Sequence, residues 1–439
     1  MEKIKLSTSL ARAVWKEIQK KGYKPRINLA GFYDEKFTQE ELDLVRGLEL
    51  VDYWDELKDI KYLRNLKSLT IKSTQFSEYT AKRDLKCLSD QDIFAIEKLE
   101  NLEHLTIDNQ REISQLDISG FKNLQTLEIT RCENLREIVG LTENRTLTEL
   151  RMYGLNSITK IKDLDKFIEK NQNLANLELD VLFYPSAIGF KRNGDFNQNA
   201  SDILESLDYN IIWSESVTTK KTSINHFQMK KMHKKAFEII KRYSIDRMMD
   251  MEKVVAVNEY IARNIKYNYS ALDTSFRGIV KNGIASGPSK GVNGAYDGLI
   301  NNTCVCEGYT RVMQYLLTLV DVKTANTYCI AGKDNYGFAE KKNEALIRLV
   351  SLPNDGFHSI CRIERDSGIY YCDSCWNAGR YQKGDTSMPW LLLTKGQIAD
   401  THTLSYNEQN VSHQQPIPSN YIQSAKQNVL RSFQSNLEM

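Results

Sequence analysis

Leucines recur in one fixed frame through the first half of the chain. The frame L-x-x-L-x-aliphatic occurs as "LKSLTIK" (66–72), "LEHLTID" (102–108), "LQTLEIT" (124–130), "LTELRMY" (147–153) and "LANLELD" (174–180). Two of the intervals between successive second leucines are 22 and 23 residues. Because the side chains of a strand alternate between its two faces, each frame predicts one short strand with leucines on one side and polar residues on the other.

Intervals of this size are typical of leucine-rich repeats, whose strands stack side by side and bury their leucines in a continuous core. The segment before the first frame predicts a helical cap, because Thr38 stands three residues ahead of Glu41, the spacing of a capping box. With the preceding "LARAVWKEIQKKG", this segment resembles the cap of internalin-like bacterial leucine-rich repeats. We therefore predict a helical cap at 1–45 and a leucine-rich-repeat solenoid at 46–185, whose concave face of mixed charge suits a protein or peptide partner.

The leucine frame ends after residue 185, and a different organisation follows. Residues 188–202, "IGFKRNGDFNQNASD", are rich in the Gly, Asn and Asp that favour turns, so 186–225 is predicted to be a linker. Helical and strand patterns from 226 to 405 then predict an α+β domain. The remaining residues, 406–439, are predicted to form a polar tail with a short helix after Pro418.

Two helices and three strands can be placed inside the α+β domain. Val254, Val257 and Ile261 share one helix face, which predicts a helix there. A second helix is predicted to begin near Glu307. Strands are predicted at "NTYCIAG", "HSICRI" and "GIYYCD", and the turn "ERDSG" joins the last two as a hairpin.

Charge and composition narrow the classes of function. Lys and Arg number 59 and Asp and Glu 57, a net charge of +2, so the chain lacks the basic field with which proteins bind nucleic acids and anionic membranes. No stretch has the ~18 or more apolar residues of a membrane span, and the N-terminus lacks the apolar block of a signal peptide. We expect a cytoplasmic protein with reduced thiols among its eight cysteines, or a secreted or host-delivered one if a leader has been removed.

Three residues of the α+β domain combine into candidate chemistry. Cys306 falls at a predicted helix start, where unpaired backbone N–H groups and the helix dipole favour a thiolate. His358 opens one strand of the hairpin and Asp373 closes the other, and a turn centred at Arg365–Asp366 makes them cross-strand neighbours. A thiolate, an imidazole and an orienting carboxylate are the groups that nucleophilic acyl transfer requires.

The same stretches resemble the transglutaminase-like superfamily, whose members have a papain-like α+β fold. "CVCEGYTRVMQYLLTLV" is similar to the G-V-C-E-G-Y-A motif and core helix of the superfamily. "HSICRI" is similar to its H-A-W-N-x-V strand, "YYCDSCWN" to its W-Y-x-x-D-P-T-W strand and "WLLLTKGQIADTH" to a later Y-F-L strand. The resemblance covers about 225–405 and implies a core helix packed on an antiparallel sheet.

For this chain, the resemblance implies that Cys306 is the nucleophile, His358 the general base and Asp373 the carboxylate that orients the imidazole. It also makes Tyr296 a candidate for stabilising an oxyanion or positioning a substrate. The chain departs from the superfamily pattern at five positions: Cys304 stands in place of glycine, Ile360 and Cys361 in place of Trp-Asn, and Ser374 and Cys375 in place of Pro-Thr.

Several other residues are candidates for accessory or alternative roles. Cys304, Trp376 and His402 are possible accessory residues, although Trp376 is expected chiefly in the core and His402 in a loop. Four thiols, those of Cys304, Cys306, Cys372 and Cys375, are an alternative zinc site, but one pair starts a helix and the other flanks an aspartate, unlike paired zinc knuckles. A disulfide from Cys375 to Cys304 or Cys306 is also open. We expect no cofactor and no metal.

Together these patterns predict cysteine-dependent acyl transfer on a peptide or protein amide through a thioester, with the repeats recognising a protein partner or substrate. Hydrolysis, by a protease or deamidase, is preferred over transamidation because no dedicated amine site is visible. The alternative is a non-catalytic interaction scaffold, in which the transglutaminase-like domain serves as a binding surface.

Overall fold

The chain divides into two compact units, Met1–Phe190 with Phe196–Ile211, and Lys191–Asp195 with Ile212–Met439. The structure, a computed structural model, describes residues 3–27, 31, 33–53, 55–73, 88–110, 112–132, 134–155, 157–158, 160–215, 222–270, 294–331, 357–404 and 414–435. Cys87 lies outside these residues. Within them, no helix combines the length and apolar character that a membrane crossing requires.

The first unit consists of short strands and helices. Its strands are β1 (Ile4–Lys5), β2 (Lys36–Phe37), β3 (Gly47–Val51), β4 (Ser68–Lys72), β5 (His104–Asp108), β6 (Gln115–Asp117), β7 (Thr126–Thr130), β8 (Glu137–Val139), β9 (Glu149–Tyr153) and β10 (Asn176–Asp180). Its helices are α1 (Thr8–Gln19), α2 (Gln39–Leu42), α3 (Asp90–Ile96), α4 (Leu164–Lys170), α5 (Tyr184–Ala187) and α6 (Gln198–Ser206).

Six strands of this unit stack in parallel, in the order β3, β4, β5, β7, β9 and β10. Each of the five leucine frames contributes one of them, and the second leucines of neighbouring frames are paired: Leu69 with Leu105, Leu105 with Leu127, Leu127 with Leu150, and Leu150 with Leu177. All five leucines are buried. The repeat frame thus sets the register, because a slip of one residue would turn every leucine towards the opposite face.

The N-terminal cap follows its sequence signal. The Thr38 hydroxyl accepts a hydrogen bond from the Glu41 backbone N–H at 3.3 Å, and the Glu41 carboxylate accepts one from the Thr38 N–H at 2.8 Å. The capping box is therefore confirmed, although the helix it starts, α2, is only one turn long. Before it, α1 buries Leu10, Val14 and Ile18 on one face.

Asparagine side chains link successive turns of the stack. The amide nitrogen donates to a backbone carbonyl of the preceding turn in five places: Asn65 to Asp43, Asn101 to Arg64, Asn123 to Glu100, Asn144 to Phe121, and Asn171 to Leu147. Asn144 is buried, whereas Asn123 is exposed. The same bond therefore occurs in a buried and in an exposed setting.

Replacing Asn144 by alanine is expected to lower the free energy of unfolding of the first unit by about 1–3 kcal/mol, because the buried Phe121 carbonyl loses its donor and the Thr146 and Leu147 backbone N–H groups lose an acceptor. Asn123→Ala removes an equivalent bond that water can replace, so it should cost less than about 1 kcal/mol. Urea unfolding followed by circular dichroism compares the two variants. An equal loss of unfolding free energy in the two variants would contradict the conclusion that the buried Asn144 side chain contributes more to stability than the exposed Asn123 side chain.

Residues 186–225, for which the sequence predicts a linker, contain regular structure. The Asn197 side chain caps α6 by accepting from the Ala200 N–H at 3.3 Å, and the helix buries Ala200 and Leu204. Strands β11 (Ile211–Ser214) and β12 (Ser223–Asn225) follow and pair in antiparallel orientation. Asparagine caps helices as readily as it favours turns, which explains why an Asn-rich stretch is helical here.

The second unit contains four larger helices and a four-stranded sheet among its described residues. Its helices are α7 (His226–Arg242), α8 (Asp250–Asn264), α9 (Cys306–Leu319), α10 (Ser374–Tyr381), α11 (Lys395–Ile398) and α12 (Ser419–Ser435), with a π-helical turn at Asp297–Asn301. Its further strands are β13 (Lys266–Tyr267), β14 (Thr303–Cys304), β15 (Lys323–Ala331), β16 (Phe357–Arg365), β17 (Gly368–Cys372) and β18 (His402–Leu404). The sheet order is β17, β16, β15, β18, all antiparallel.

The hairpin of β16 and β17 forms as predicted, but its register differs. Cys361 pairs with Cys372 and Arg365 with Gly368, so the turn lies at Asp366 and Ser367, one residue later than expected. Gly368 has φ +129°, a backbone conformation that favours glycine, and this fixes where the chain reverses. The predicted direct pairing of His358 with Asp373 is therefore wrong by two residues.

The core helix α9 packs on β15 and β16. It begins at Cys306, one residue before the predicted start, and Tyr309, Val312 and Leu316 are buried on it. The Thr310 hydroxyl donates to the Ser359 backbone carbonyl at 3.0 Å, which ties the first turns of α9 to β16. The beginning of the helix is thus held next to the strand that carries His358.

Candidate active site

Cys306 is the first residue of α9. Val305, the residue before it, is apolar and makes no side-chain cap, so the first N–H groups of the helix are not bonded by their own cap residue. Cys306 is partly exposed, whereas Cys132, Cys304, Cys329, Cys361, Cys372 and Cys375 are buried. Of the cysteines that the structure describes, Cys306 is therefore the one with access to solvent.

His358 lies on β16, one residue after the start of that strand. Its Nε2 is 2.7 Å from Oδ2 of Asp373, and its side chain is 9% exposed. Burial opposes protonation of the His358 ring, but the carboxylate of Asp373 and the sulfur of Cys306, each by charge and hydrogen bonding, raise the pKa of His358 to about 10. Because Nε2 faces Asp373, the nitrogen left for Cys306 is Nδ1.

Asp373 does not belong to the strand that the sequence predicts it to close. It follows β17 and caps α10, with Oδ1 accepting from the Trp376 backbone N–H at 2.9 Å. Continuing the β16–β17 register places it opposite Ile360, diagonal to His358 on the same face of the sheet. The helix cap therefore directs the carboxylate at His358 even though the two residues are not direct partners.

The Asp373 carboxylate is fully buried and accepts three hydrogen bonds. Besides the bonds to Trp376 and His358, Oδ2 lies 3.0 Å from Nε2 of His402. Burial opposes ionisation, but the charge and hydrogen bond of His358, and then the hydrogen bond of His402, hold the pKa of Asp373 below its ordinary value. The carboxylate is thus ionised at neutral pH and fixed in orientation.

His402 is brought into this cluster, although the sequence suggests a loop histidine. It is the first residue of β18, the edge strand that pairs with β15, and it is 1% exposed. The preceding segment is not the Y-F-L-like strand expected from the resemblance: Leu393 makes an isolated bridge with Tyr371, and a capping box of Thr394 and Gln397 then starts α11. The T-x-x-Q spacing is readable in the sequence and would have predicted this helix.

Trp376 packs against both histidines. Its ring centroid lies 4.6 Å from that of His402 and 5.8 Å from that of His358. Trp390 meets the same indole edge-on at 4.8 Å. Both indoles are half-buried, and Trp376 forms one wall of the histidine cluster.

Tyr296 and Cys304 lie beside the start of α9 in the chain. Tyr296 donates its backbone N–H to Glu215 at 2.6 Å, and its role towards an oxyanion or substrate stays a prediction. Cys304 is fully buried on β14, opposite Tyr267 of β13, and burial raises the pKa of its thiol well above the ordinary value. Cys304 is therefore protonated at neutral pH.

Tyr267 lies near Cys306, and Tyr269 packs against Tyr267. The two rings lie 4.9 Å apart, Tyr269 is 70% exposed, and Tyr267 packs against Val305. Burial, followed by the nearby thiols of Cys306 and Cys375, raises the pKa of Tyr267. Tyr267 is therefore an aromatic neighbour of the candidate nucleophile.

The four thiols of the zinc alternative do not form a close set among the described residues, although Cys304 and Cys306 are near enough to Cys375 to raise the pKa of its thiol, after burial and Asp373. Cys372 donates to the Asn258 side-chain oxygen at 3.4 Å, and burial raises the pKa of both Cys372 and Cys375. In the part of the chain that the structure describes, the one set of three close ligand atoms comprises His358, Asp373 and His402, within 4.8 Å of one another. Direct hydrogen bonds between the two rings and the carboxylate account for that proximity.

Comparison with known proteins gives partial likenesses. No protein-family model and no curated protein matches the sequence. Among solved structures, an internalin of Listeria monocytogenes aligns with TM-score 0.25 and 23% identity over 39% of this chain and 49% of its own, so this chain spans about half the length of that protein. Internalin C2 of the same species aligns with TM-score 0.24 and 19% identity over 38% of this chain and 71% of its own. A proposed cysteine protease of Cytophaga hutchinsonii aligns with TM-score 0.21 and 15% identity over 40% of this chain and 46% of its own.

Proposed function

We propose that the second unit is a cysteine enzyme that cleaves an amide of a peptide or protein through a thioester on Cys306. The observation that carries the proposal is the buried 2.7 Å bond between His358 and Asp373, with a partly exposed thiol beside the same imidazole. A thiol, an imidazole and a carboxylate linked in this order are the groups that nucleophilic acyl transfer uses for attack and proton transfer.

The positions of these groups support the following steps. In the reacting form, His358 is an imidazolium with a proton on Nδ1, and the Cys306 sulfur is the thiolate that attacks the amide carbonyl carbon to give a tetrahedral oxyanion. Backbone N–H groups in the first turn of α9 are the donors for that oxyanion, and Tyr296 is a second candidate. The C–N bond breaks, the His358 proton goes to the leaving nitrogen, and a thioester remains.

Water is the acyl acceptor in this proposal. His358, now neutral, takes a proton from water as the oxygen attacks the thioester carbonyl, and the carbon–sulfur bond breaks to restore the thiolate and release a carboxylic acid, which loses its proton to solvent. Asp373 keeps the proton-bearing Nε2 of His358 directed away from the thiol, so that Nδ1 serves the reaction. Transfer to a primary amine would use the same thioester and is the transamidase outcome.

For the first unit, we propose that the repeat strands form a solenoid that recognises the protein partner or substrate. Its support is a row of outward, half-buried side chains at equivalent positions of four neighbouring strands: Thr70, Thr106, Glu128 and Arg151. Aligned polar and charged side chains on a rigid strand stack suit a protein surface better than a small molecule.

A thiol-directed probe tests the proposal without a known substrate. Iodoacetamide at pH 7 should label Cys306 ahead of the other cysteines, and His358→Ala should slow this labelling about tenfold or more, because the thiolate loses its cationic partner. Peptide mass spectrometry reports each site.

The matched control is His104→Ala, which removes an exposed histidine of the first unit and should leave the Cys306 rate unchanged. Labelling of all cysteines at similar rates, with no effect of His358→Ala, would favour the alternative of a non-catalytic interaction scaffold.

A further inference from the structure

Two imidazoles share one carboxylate oxygen in the second unit. Nε2 of His358 and Nε2 of His402 both face Oδ2 of Asp373, at 2.7 and 3.0 Å. An ionised carboxylate only accepts hydrogen bonds, so each of the two Nε2 atoms must carry a hydrogen. The proposed mechanism uses the bond from His358 to Asp373 and gives His402 no role.

A chain of hydrogen bonds behind His402 determines which of its nitrogens is protonated. Nδ1 of His402 lies 2.8 Å from the Thr401 hydroxyl oxygen, which itself accepts from the Trp390 indole N–H at 3.1 Å. The Thr401 hydrogen has two acceptors within reach, His402 Nδ1 at 2.8 Å and the Ile398 carbonyl at 3.4 Å. Only the shorter distance lies in the usual range for an O–H donor.

Each group in this chain therefore donates to the next: the Trp390 indole to the Thr401 hydroxyl, the Thr401 hydroxyl to His402, and His402 to Asp373. In this arrangement Nδ1 of His402 is an acceptor and Nε2 is a donor. His402 is therefore the Nε2–H tautomer, and the hydrogen bond from Thr401, its neighbour in the sequence, selects this tautomer.

Hydrogen-bond geometry around Thr401 favours the same assignment. The side chains of His402 and Asp373 are both 0% exposed, so the bond between them is shielded from water. A hydrogen on Nδ1 of His402 would make the Thr401 oxygen accept from both Nδ1 and the Trp390 indole, and would leave the Thr401 hydrogen only the Ile398 carbonyl at 3.4 Å. In the Nε2–H tautomer, each of these groups has a partner at an ordinary hydrogen-bond distance.

We propose that His402 is a positioning residue, which Thr401 and Trp390 hold in the Nε2–H tautomer so that it donates to Asp373 and fixes the carboxylate behind His358. The role in catalysis rests on the proposed function of Cys306, whereas the tautomer does not. Trp376, packed on both rings, limits rotation of the two imidazoles.

Nitrogen-15 NMR of histidine-labelled protein tests the tautomer directly. The chain has only six histidines, and His402→Gln and His358→Gln variants assign the two rings. We expect a protonated Nε2 and an unprotonated Nδ1 for His402 at pH 7. Thr401→Val, which removes the hydroxyl donor, should shift the ring towards the other tautomer or a mixture, and Thr401→Ser should restore the wild-type signals. A proton on Nδ1 in the wild type, or no response to Thr401→Val, would overturn the proposal.

Labelling of Cys306 by iodoacetamide tests the positioning role. His402→Ala is expected to slow it about tenfold, because the carboxylate can rotate away from His358. His402→Gln keeps an amide N–H near the position of Nε2 and should recover most of that loss. Equal rates in the alanine variant and the wild type would overturn the role, as would an equal loss in the glutamine and alanine variants.

The two readouts separate this proposal from the proposed function. If wild-type Cys306 shows no preferential labelling while the NMR signals follow the expected pattern, the enzymatic function fails and the hydrogen-bond chain stands. If Cys306 is reactive and depends on His358, but neither His402 variant changes its rate, the enzymatic function stands and the positioning role fails.

Discussion

Replacing Cys306 by alanine is expected to lower the rate of amide cleavage by about 10⁴-fold or more, because the thioester cannot form and the remaining groups offer only binding and oxyanion stabilisation. The assay measures new carboxylates from a peptide library, with ammonia release reporting deamidation. A labelled primary amine in the same mixture reports transamidation. Loss of all three products in the variant ties the chemistry to this one sulfur.

Cys304→Ala is the matched control for this substitution. Cys304 lies two residues earlier, is fully buried, and burial raises the pKa of its thiol, so its loss should change the rate by less than about tenfold. A Cys306→Ala variant as active as the wild type would contradict the assignment of the nucleophile. An equal loss in both variants would point to a disturbed fold at the start of α9.

Replacing Asp373 by alanine is expected to lower the free energy of unfolding of the second unit by about 3–5 kcal/mol at pH 7, because it leaves the buried imidazolium at His358 without the carboxylate that pairs with it. The same change strips the acceptor from His402 and from the Trp376 backbone N–H, the cap of α10. Urea unfolding measures the effect, and Cys306 labelling should slow with it.

The pH dependence of this contribution has a definite sign. The pKa of Asp373 is lowered in the folded chain, so its contribution is present above its ordinary value of 3.8 and is lost as the pH falls through the folded pKa. The pKa of His358 is raised from 6.5 to about 10, so its contribution is full below 6.5 and is lost as the pH rises through about 10. The difference in the free energy of unfolding between wild type and Asp373→Ala should therefore be greatest between pH 3.8 and pH 6.5, and should fall on either side of that range.

Asp385→Ala is the control for Asp373→Ala. Asp385 follows the same helix, α10, and pairs with Arg380 at 2.8 Å, but both side chains are well exposed. Because water replaces such a pair, no comparable loss of stability is expected. Equal destabilisation by the two substitutions would contradict the importance of the buried pair.

Much of the candidate site could be predicted because its residues lie at the ends of periodic elements. The apolar face that includes Val312 and Leu316 predicts α9, and Cys306 then falls at its start within one residue. The apolar strands "HSICRI" and "GIYYCD" place His358 and Asp373 in one hairpin. The type of each helix or strand and its place along the chain depend on nearby residues, so the sequence pattern predicts them well.

Register and long-range pairing could not be predicted in the same way. The turn "ERDSG" allows more than one reversal point, and the positive φ of Gly368 shifts the β16–β17 pairing by two residues. Asp373 still meets His358, because the cap of α10 and not the strand directs its carboxylate. His402 enters the site through β18, whose pairing with β15 has no signal in a three-residue segment.

Capture of an acyl-enzyme tests the central claim most directly. The wild-type protein, mixed with a peptide library and quenched in acid within seconds, should gain the mass of an acyl group on the peptide that contains Cys306. The adduct should be released by hydroxylamine, as a thioester is, and should be absent from Cys306→Ala. A modification at another residue, or turnover of the library with no thioester at Cys306, would contradict the account.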